Sequence, residues 1–308
     1  MKKKVAIIGA GIIGLYLALK LEDKFKVVVF EEKSKDVFGK KSCSTLVSRR
    51  FLKFIPEASD FVENEISECH INFKRKKVIL KFNPKHVVVN RESVLLSLAD
   101  KLKSNIVFNK RIEEFPIGFD YAIDCSGAAS AFQEKKLKFK TGLQVFESVK
   151  DSSDVVKTFK TDGGFCWIIP RGSSREYGIF EDPRKLVKEW EKFSKAKSNL
   201  KFAKIPSELY IPSNDRYTVC GDASGLTKPW SGGGLIWQLY EADILLKYFP
   251  NFKKYKKEVY AFFKPKIRRG VLANKAVHFI GKNMPFLLPS YLKYDNDFPS
   301  LFATVCKK

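Results

Sequence analysis

Two glycine-rich loops, about two hundred residues apart, constrain this chain more than any other feature of its sequence. The first has the sequence GAGIIG over residues 9–14, and Glu31 follows its last glycine by seventeen residues. The second begins as GDASG at residues 221–225 and continues to GGGL at residues 232–235. Such loops at helix N-termini bind phosphate groups through backbone N–H groups. The pair predicts one long dinucleotide that is bound at both ends.

The first loop lies in the sequence pattern of a βαβ unit. The apolar residues 5–8 predict a buried parallel strand, residues 12–21 predict a helix, and residues 26–30 predict the next strand. A strand before the glycines and a helix after them are the context that a dinucleotide-binding fingerprint requires. We therefore interpret this loop as a binding site and not as a structural turn.

The glycines of the first loop have separate tasks. Gly9 allows the turn out of the strand, Gly11 lets the backbone approach the pyrophosphate, and Gly14 lets the helix pack closely on the sheet. Glu31 ends the second strand, where its carboxylate can accept hydrogen bonds from the adenosine ribose and would repel a 2′-phosphate. The segment disfavours NADP and leaves NAD and FAD open.

The second loop favours FAD. Residues 217–220 predict a short strand, and Asp222 at its end can bond the hydroxyl groups of a ribityl chain. The glycines at 232–234 begin a predicted helix, so its first N–H groups can approach the N1/O2 edge of a reduced flavin, where negative charge accumulates. An NAD enzyme has no use for this feature. An ordinary glycine-rich turn is the alternative.

Two polar residues between the loops are further candidates for cofactor contacts. Arg91 separates a predicted strand from a predicted helix over residues 92–102, where its guanidinium can reach the cofactor phosphates or the flavin edge. A surface arginine explains the same position equally well. Asp124 ends a predicted strand at the open edge of the parallel sheet, and capping of that turn is its simpler role.

An antiparallel sheet is predicted between parts of the cofactor-binding sequence. Residues 69–82 have apolar residues on both sides of the basic run 74–77, which indicates a β-hairpin with a charged tip. Residues 137–180 contain several short strand-like runs and the aromatic segment GGFCWIIP. The aromatic side of this sheet can wall an apolar pocket, although core packing alone also explains Phe165 and Trp167.

The formal net charge is +23, from 57 basic and 34 acidic residues. An excess of this size favours anionic partners such as a phospholipid surface, whereas scattered lysines that only keep the protein dispersed explain it equally well. The densest clusters, at 253–257 and 264–269, are candidates for a patch that faces a membrane or another anion. No nucleic-acid-binding motif accompanies them, so we expect no nucleic-acid partner.

The N-terminus resembles a signal peptide, because the basic residues 2–4 precede the apolar residues 5–19. The glycine loop inside this run argues against that interpretation, and no apolar run reaches the ~20 residues that span a bilayer. Six cysteines without a C-x-x-C pair predict no metal site and a reduced compartment. We expect a cytoplasmic protein that can lie peripherally on the inner face of the cell membrane.

In their order along nearly the whole chain, these motifs resemble the FAD-dependent geranylgeranyl reductase family, which includes digeranylgeranylglycerophospholipid reductases and shares the fold of p-hydroxybenzoate hydroxylase. Residues 39–44 resemble the family's segment with a cysteine close to the flavin, and Asn90–Arg91 resembles its Asp-Arg motif, whose arginine contacts FAD. Residues 221–235 are similar to its GD loop. The cofactor-binding residues expected on these grounds are Gly9, Gly11, Ile13, Gly14, Glu31, Cys43, Ser44, Arg91, Asp222, Gly233, Gly234 and Leu235.

The most specific similarity is the segment FCWIIP at residues 165–170, with Gly178 eight residues further on. It is similar to a reductase motif that lines the prenyl-chain pocket. The resemblance therefore implies Phe165, Trp167, Pro170 and Gly178 as substrate-binding residues.

The chain departs from the family pattern at several positions. Phe165 replaces a tyrosine, Ile169 replaces a phenylalanine, and Phe180 replaces the last glycine of the motif. Ser44–Thr45 replaces the glycine that usually follows the cysteine. These changes reshape the expected cavity and leave the exact substrate open.

Together the patterns predict an α/β fold: a Rossmann-type FAD-binding domain with a parallel sheet, an inserted antiparallel β substrate domain, and a short C-terminal helical region. The predicted limits are residues 1–65, 84–135 and 213–250 for the FAD-binding domain, 66–83 and 136–212 for the substrate domain, and 251–308 for the helical tail.

The resemblance implies an FAD-dependent oxidoreductase that acts on CH–CH groups and reduces geranylgeranyl double bonds in archaeal-type membrane lipid biosynthesis. Its partners would be a prenyl lipid or prenyl diphosphate and an electron donor, either NAD(P)H or a ferredoxin-like protein. No catalytic side chain is assigned, because the flavin N5 carries the hydride. Three alternatives stay open: an NAD(P)H-dependent hydroxylase of the same fold, an FAD-binding protein without reductase activity, and a non-catalytic membrane-associated protein.

Overall fold

The computed structural model describes residues 1–40, 43–128, 130 and 132–299. Its strands, in chain order, are β1 Lys4–Ile8, β2 Lys26–Phe30, β3 Leu46–Ser48, β4 Val62–Phe73, β5 Lys76–Val89, β6 Asn105–Val107, β7 Tyr121–Asp124, β8 Phe139–Glu147, β9 Val155–Lys160, β10 Phe165–Pro170, β11 Arg175–Glu181, β12 Lys201–Pro206, β13 Tyr217–Val219 and β14 Tyr291–Tyr294. Its α-helices are α1 Ile12–Leu21, α2 Phe51–Phe54, α3 Arg91–Lys101, α4 Leu186–Phe193, α5 Leu235–Tyr248 and α6 Phe252–Asn283. Short 3₁₀ helices cover Lys35–Val37, Pro56–Phe61, Gly221–Ser224 and Pro285–Leu287.

The chain forms two compact units, each assembled from three stretches of sequence. The first unit comprises Met1–Lys41, Arg91–Lys138 and Ile205–Ile267, and the second comprises Ser42–Asn90, Phe139–Lys204 and Arg268–Lys308. The sequence places residues 43–65 and 84–90 with the cofactor domain, whereas the strands there belong to the second unit. The difference arises because β4 and β5 form one long hairpin that extends well beyond the hairpin predicted at residues 69–82.

The first unit contains a parallel sheet of five strands in the order β13-β7-β1-β2-β6. The residues Val5, Ala6 and Ile7 of its central strand have no exposed surface, as expected for a parallel strand that is covered on both faces. Helix α1 packs on β1, α3 and α5, and it is apolar nearly all round because it is buried on several sides. The predicted parallel sheet is confirmed, and the carboxyl ends of β1, β7 and β13 lie side by side.

The second unit contains a nine-stranded sheet in the order β12-β8-β11-β10-β9-β4-β5-β14, with β3 paired to β5. It is largely antiparallel, with β4–β9 and β5–β14 as parallel pairs. Alternation along the strands directs Leu143, Cys166 and Ile179 to one side of the sheet, where they form a core with Leu186 and Trp190 of α4. Phe165, Trp167 and Phe180 lie on the opposite side of the sheet, which we call the aromatic face.

The C-terminal region contains more than the helical tail that the sequence predicts over residues 251–308. It contains one helix of 32 residues, α6, and then β14, which pairs with Ile79–Phe82 of β5. Sequence patterns do not indicate β14, because pairing with a distant strand stabilises it. Residues 300–308 of the predicted tail lie outside the described residues. In the described part of the chain, no helix combines the length and the apolar character needed to cross a bilayer.

A buried carboxyl group joins three elements of the first unit. Glu241 on α5 accepts hydrogen bonds from the backbone N–H of Gly221 and from the hydroxyl of Tyr255 on α6, each at 3.0 Å. The same hydroxyl lies 2.9 Å from the carbonyl oxygen of Val219 on β13. Burial of this carboxyl group raises the pKa of Glu241 to about 7 from its ordinary value of 4.5.

Replacement of Glu241 by glutamine is expected to flatten the dependence of stability on pH between about 4.5 and 7. In this window the folded wild type retains the Glu241 proton, whereas the unfolded chain has released it. The wild type therefore loses on the order of 3 kcal/mol of unfolding free energy as the pH rises, and the variant does not. Urea unfolding of both proteins near pH 4.5 and pH 8 measures the difference.

The matched control is Glu114→Gln, which removes the same charge at an exposed position. It is expected to leave the pH profile of the wild type unchanged. Parallel profiles for Glu241→Gln and the wild type would contradict the role given to Glu241.

Candidate functional site

The carboxyl ends of three neighbouring strands meet at one edge of the parallel sheet. Strand β1 passes into the first glycine loop, β7 ends at Asp124, and β13 passes into the second loop. The Cys125 N–H donates to the carbonyl of Ile8 at 2.7 Å, and the Cys220 N–H donates to the carbonyl of Asp124 at 2.9 Å. This edge is where open α/β sheets bind their ligands.

The two glycine loops lie next to each other within the first unit. Gly221 has a φ of +79°, and a Cβ atom at this position would lie 3.4 Å from the side chain of Ile13 in α1. Glycine is suited to this position because it adopts the left-handed conformation without a steric penalty. Segments far apart in sequence thus form one surface within the first unit. We call this surface the dinucleotide cradle; it comprises residues 9–14, Glu31, 221–222 and 232–235.

Of the three glycines in the first loop, Gly11 alone faces open space. A Cβ atom at Gly9 would lie 2.7 Å from the carbonyl oxygen of Cys125, and one at Gly14 would lie 2.0 Å from that of Gly9. Internal packing therefore requires both. A Cβ atom at Gly11 would meet no atom of the described residues within 4 Å, and its φ of −71° suits any residue. The missing side chain at Gly11 fits the close approach of a pyrophosphate.

The Glu31 carboxylate fixes the first loop. One oxygen accepts a hydrogen bond from the N–H of Ala10 at 2.9 Å, and the other accepts from the N–H of Lys33 at 3.1 Å. Each carboxylate oxygen has a second lone pair, so acceptor capacity is left for ribose hydroxyl groups. Glu31 therefore organises the backbone of the loop and can still fill the role that the sequence predicts.

The second loop is held by the first turns of α5. Asp222 Oδ1 accepts a hydrogen bond from Nε2 of Gln238 at 2.8 Å, and the same nitrogen lies 3.1 Å from the carbonyl oxygen of Leu226. A Cβ atom at Gly234 would lie 2.3 Å from this nitrogen, so the side chain of Gln238 occupies the space that glycine leaves. This contact with α5 orients the carboxylate of Asp222.

Helices α1 and α5 both begin at a glycine. Gly11 and Gly234 occupy the N-cap positions, and neither can supply a side-chain hydrogen bond to the first turn. Serine, threonine or aspartate would normally cap such N–H groups. Two long helices of the first unit thus direct uncapped N-termini, with the positive ends of their dipoles, toward an anionic or polar acceptor.

Arg91 has an unsatisfied donor. It is the first residue of α3, which packs on α1. Its Nε atom is buried and has no hydrogen-bond partner among the described residues. A buried N–H group without a partner is costly, so such groups are usually satisfied by a ligand or an ordered water molecule. A phosphate oxygen or a flavin carbonyl would satisfy this one.

Asp124 has the simpler of its two predicted roles. Its carboxylate accepts hydrogen bonds from the N–H of Ser126 at 2.8 Å and from the hydroxyl of Ser130. It therefore stabilises the turn after β7. Burial raises the pKa of the neighbouring Cys125 and Cys220 thiols well above its usual range, so neither supplies a thiolate.

In the second unit, a buried ion pair holds the segment that contains Cys43. The carboxylate of Glu176 has no exposed surface and accepts from Arg171 at 2.7 Å. It also accepts from the indole N–H of Trp167 at 2.9 Å and from the hydroxyl of Ser44. Arg171 in turn donates to the carbonyl of Ser44 at 2.8 Å. The residue after Cys43 is thus fixed through both its side chain and its backbone.

Thr45, two residues after Cys43, has a strained backbone. Its φ is +47°, although it is a β-branched residue, and it is only 3% exposed. The left-handed region costs such a residue about 1 kcal/mol or more. The family that the chain resembles has a glycine in this segment, which adopts this conformation freely. Here the hydrogen bonds on Ser44 hold the segment in place instead.

The aromatic face is built around a tryptophan that lies over a glycine. Trp167 on β10 is paired with Gly178 on β11, and a Cβ atom at Gly178 would lie 2.1 Å from the indole ring. The ring of Phe165 is centred 6.0 Å from that of Trp167 and 5.7 Å from that of Phe180. Trp167 and Phe180 are buried, as is Pro170 at the end of the strand, so Phe165 exposes the most surface of the three rings.

The structure divides the predicted site residues between the units. Those expected to bind the dinucleotide lie in the first unit, except Cys43 and Ser44, which lie in the second unit together with the predicted substrate-binding residues. Sequence reasoning missed Glu241, Arg171 and Glu176. The available signal for Glu241 was its position among the apolar residues Leu239, Ala242 and Leu245 of α5. Arg171 and Glu176 carried no signal of their own, because partners distant in the sequence explain them.

No protein-family model matches the chain, and no curated protein matches its sequence. Among solved structures, a geranylgeranyl bacteriochlorophyll reductase-like protein from Thermoplasma acidophilum has a TM-score of 0.74, with 17% identity over 89% of this chain and 87% of that chain. A probable FAD-dependent monooxygenase from Pseudomonas aeruginosa has a TM-score of 0.68, with 15% identity over 91% of this chain and 97% of that chain. The flavin-dependent halogenase CmlS has a TM-score of 0.65, with 16% identity over 87% of this chain and 62% of that chain.

The chain has the fold of FAD-dependent oxidoreductases. The predicted fold class is confirmed, and so is the resemblance at the level of the fold. Reductases, monooxygenases and halogenases share this fold, so the chemistry has to be argued from the residues of the chain.

Replacement of Gly11 by alanine is expected to weaken FAD binding without destabilising the fold. The new methyl group meets open space in the protein, so the free energy of unfolding should change by less than about 0.5 kcal/mol. The same methyl group intrudes where the pyrophosphate must approach, which should raise the Kd for FAD by about tenfold or more. Fluorescence titration with FAD and thermal melting of the apoprotein measure the two effects.

The contrasting variant is Gly14→Ala, whose methyl group collides with the backbone of Gly9. It should lower stability by about 2 kcal/mol, because a packed contact is overfilled. Unchanged FAD affinity in Gly11→Ala would show that this loop is not the phosphate site.

Replacement of Arg171 by methionine is expected to destabilise the protein by about 3 kcal/mol, because it leaves the Glu176 carboxylate buried without its cation. The double variant Arg171→Met/Glu176→Gln should recover part of this loss. Urea unfolding of the single and double variants gives the coupling energy. Arg184→Met, which breaks an ion pair with Asp182 at the surface, is the control and should cost far less stability than Arg171→Met. Equal losses in the two single variants would exclude a stabilising role for the buried pair.

Proposed function

We propose that the chain is an FAD-dependent oxidoreductase that reduces the carbon–carbon double bonds of isoprenoid chains, with geranylgeranyl lipids or diphosphates as substrates. FAD binding is supported by an open position and by unsatisfied polar groups in the first unit. Gly11 faces open space, two helices begin without capping side chains, and Arg91 Nε is buried without a partner among the described residues. A protein that bound nothing here would gain stability by filling and capping these positions.

The donor and acceptor chemistry of the cradle fits FAD along its length. The N-terminus of α1 at Gly11 would hold the pyrophosphate, and Glu31 would accept from the adenosine ribose. Asp222 would accept from the ribityl hydroxyls, and the N-terminus of α5 at Gly234 would stabilise negative charge on the flavin ring. When bound in its reduced form, FAD supplies the hydride for the reaction.

The aromatic face of the second unit supports a substrate with a long apolar chain. Phe165 exposes part of its ring next to two buried rings, Trp167 and Phe180, and the indole of Trp167 is locked by its hydrogen bond to Glu176. Rigid aromatic surfaces of this kind bind flexible hydrocarbon chains. Because binding already restricts the chain, less of its conformational entropy is lost on reaching the transition state. The chain's own residues thus supply orientation, while the cofactor supplies the redox chemistry.

The name of one structural neighbour supports the reductase within this fold. The Thermoplasma acidophilum protein is described as geranylgeranyl bacteriochlorophyll reductase-like. The WIIP segment with Gly178 beneath the indole is the feature of this chain that resembles the reductases. A place in archaeal-type membrane lipid biosynthesis, at the membrane surface, belongs to the same proposal.

A flavin monooxygenase is the second candidate. A probable FAD-dependent monooxygenase covers 91% of this chain with a TM-score of 0.68, so the backbone favours neither activity strongly. A monooxygenase consumes dioxygen and oxidises its substrate, whereas the proposed reductase works without oxygen and makes a product that is heavier by two hydrogen atoms per bond.

An anaerobic single-turnover experiment tests the proposal. The purified protein is loaded with FAD, reduced with dithionite, freed of excess reductant and mixed with a geranylgeranyl lipid. We expect the visible absorption of oxidised flavin to return at a rate that depends on lipid concentration, with a saturated product found by mass spectrometry. Reoxidation that requires dioxygen, with a hydroxylated product, would select the monooxygenase instead.

Replacement of Phe165 by leucine is expected to slow this reoxidation by about tenfold at low lipid concentration, because aromatic contact area with the prenyl chain is lost. Phe159→Leu is the matched control. Phe159 is also half-buried and lies on the neighbouring strand, but it packs on the α4 side of the sheet. Comparable melting temperatures with a rate loss confined to Phe165→Leu are the expected result. Equal rates in the two variants would remove the aromatic face from the substrate site.

A further inference from the structure

The C-terminal half of α6 contacts the rest of the second unit along one narrow strip of its surface. Residues that turn inward recur at helical spacing, at Gly270, Asn274, His278 and Gly281. A Cβ atom at Gly281 would lie 2.1 Å from the ring of Phe73 on β4, so the helix approaches the sheet closely there. Most other residues of this half-helix are exposed to solvent.

The exposed side of this half-helix alternates cationic and apolar residues. The row Arg268, Leu272, Lys275, Phe279 and Lys282 has spacings of four and three residues, which places its members on one face. Leu272 is 68% exposed and Phe279 is 61% exposed. Phe286 and Leu287, in the 3₁₀ helix that follows, are 76% and 58% exposed. Large apolar side chains exposed in a group, between basic residues, are typical of surfaces that rest on a bilayer.

A cavity of about 270 Å³ lies at the end of this row. Its walls come from the tip of the β4–β5 hairpin and from the end of α6: Lys74, Arg75, Gly281, Lys282, Asn283 and Pro285. Three cations and one amide line it, and no carboxylate does. Within the described residues, none of the three cations forms an ion pair. The volume is below the range of drug-sized ligands and suits a small anionic group.

Further positive charge in the second unit lies close enough to interact with Lys282 of the cavity. Burial, and then the nearby charge of Lys282, lower the pKa of Lys160. Burial, and then Lys160 and Lys140, lower the pKa of His278. The acids that oppose this charge are Asp162 and Glu181.

Glu181 opposes the charge of Lys140 and His278, but among the described residues it forms no ion pair with the cavity cations; its carboxylate accepts hydrogen bonds from Thr161 and from the N–H of Gly163. Lys140 is itself engaged, since its ammonium group lies 4.8 Å from the ring centroid of Phe180. The second unit therefore holds mutually repelling cations that a bound anion would stabilise.

We propose that the cavity between the hairpin tip and the end of α6 binds the phosphate group of an anionic membrane lipid, while Leu272, Phe279 and Phe286 enter the bilayer interface. The planar guanidinium of Arg75 can donate two parallel hydrogen bonds to phosphate oxygens, and Lys74 and Lys282 add positive charge. The exposed apolar row favours a lipid over a soluble phosphate, because a soluble ion gives those side chains nothing to cover them. That this lipid is the prenyl substrate rests on the proposed function; the binding itself does not.

We place the lipid contact at this cavity and not at the cluster at residues 253–257, which the sequence offers as a candidate. There Lys253 pairs with Asp215 at 3.0 Å, Lys256 donates to Ser213 at 2.6 Å, and Lys254 lies over the ring of Tyr248. These lysines are held by neighbours in the first unit. The N-terminal half of α6 therefore provides a control with an equal change of charge.

Flotation of the full-length protein with vesicles tests the proposal. The vesicles contain phosphatidylcholine alone or a mixture with phosphatidylglycerol. The variant Lys74→Gln/Arg75→Gln/Lys282→Gln should lose about a hundredfold in affinity for the anionic vesicles, since each basic residue at the surface contributes about a factor of five. The control Lys253→Gln/Lys254→Gln/Lys256→Gln should lose no more than a few-fold. Unchanged melting temperature and FAD content establish that both variants are folded.

A second pair of variants tests the apolar row. Phe279→Ser/Phe286→Ser should weaken vesicle binding by about tenfold or more, whereas Ile117→Ser/Val187→Ser, at exposed apolar positions elsewhere, should not. Equal losses in the two charge variants would reduce the effect to general attraction and overturn the proposal.

Two competition experiments exclude other anions. If inorganic pyrophosphate binds with an affinity that depends on the cavity cations but not on the phenylalanines, and vesicles do not compete, the ligand is a soluble phosphate. If single-stranded RNA binds more tightly than vesicles and depends on the same residues, the surface recognises nucleic acid. Either result overturns the lipid assignment. Vesicle binding needs neither flavin nor a prenyl chain, so it can fail or succeed independently of the reductase assay.

Discussion

The parallel pairing of β1, β7 and β13 is the constraint on which the cofactor-binding part of the molecule depends. Because these strands run in the same direction, their carboxyl ends share one edge, and the loops that follow them must lie together. Gly9 and Gly14 then let the backbones approach more closely than any side chain would allow, and Gly221 adopts the left-handed conformation that its turn requires. Hydrogen bonding between strands thus determines where the site lies, and the absence of Cβ atoms determines how tightly its loops fit.

Two sets of polar groups in this chain differ in how they are satisfied. In the second unit, Glu176 is paired with Arg171, Trp167 and Ser44, so the protein satisfies the carboxylate by itself. In the first unit, Arg91 Nε and two helix N-termini are left for a partner outside the chain. Satisfied networks stabilise one conformation, whereas unsatisfied donors store affinity for a ligand. These two sets therefore distinguish a structural network from groups that are available to a ligand.

Local patterns predicted the parts of the fold that depend on nearby residues. The glycine spacing with Glu31 predicted the βαβ unit, and the charged run at 74–77 predicted the hairpin tip, because each signal lies within about thirty residues. Glu176 and Arg171 escaped prediction because their common partner, Ser44, is more than a hundred residues away. Strand β14 escaped for the same reason, since its pairing with β5 joins distant parts of the chain. The empty space at Gly11 became visible only once neighbouring atoms had positions.

The backbone of Thr45 has a consequence for anyone who would engineer this protein. A glycine at position 45 relieves the torsional penalty, and a sequence-based design would choose it. The same change gives the unfolded chain more conformations and removes a buried side chain. The segment beside Cys43 would become more flexible. The substitution therefore relieves backbone strain at position 45 but holds the neighbouring Cys43 thiol less firmly in place.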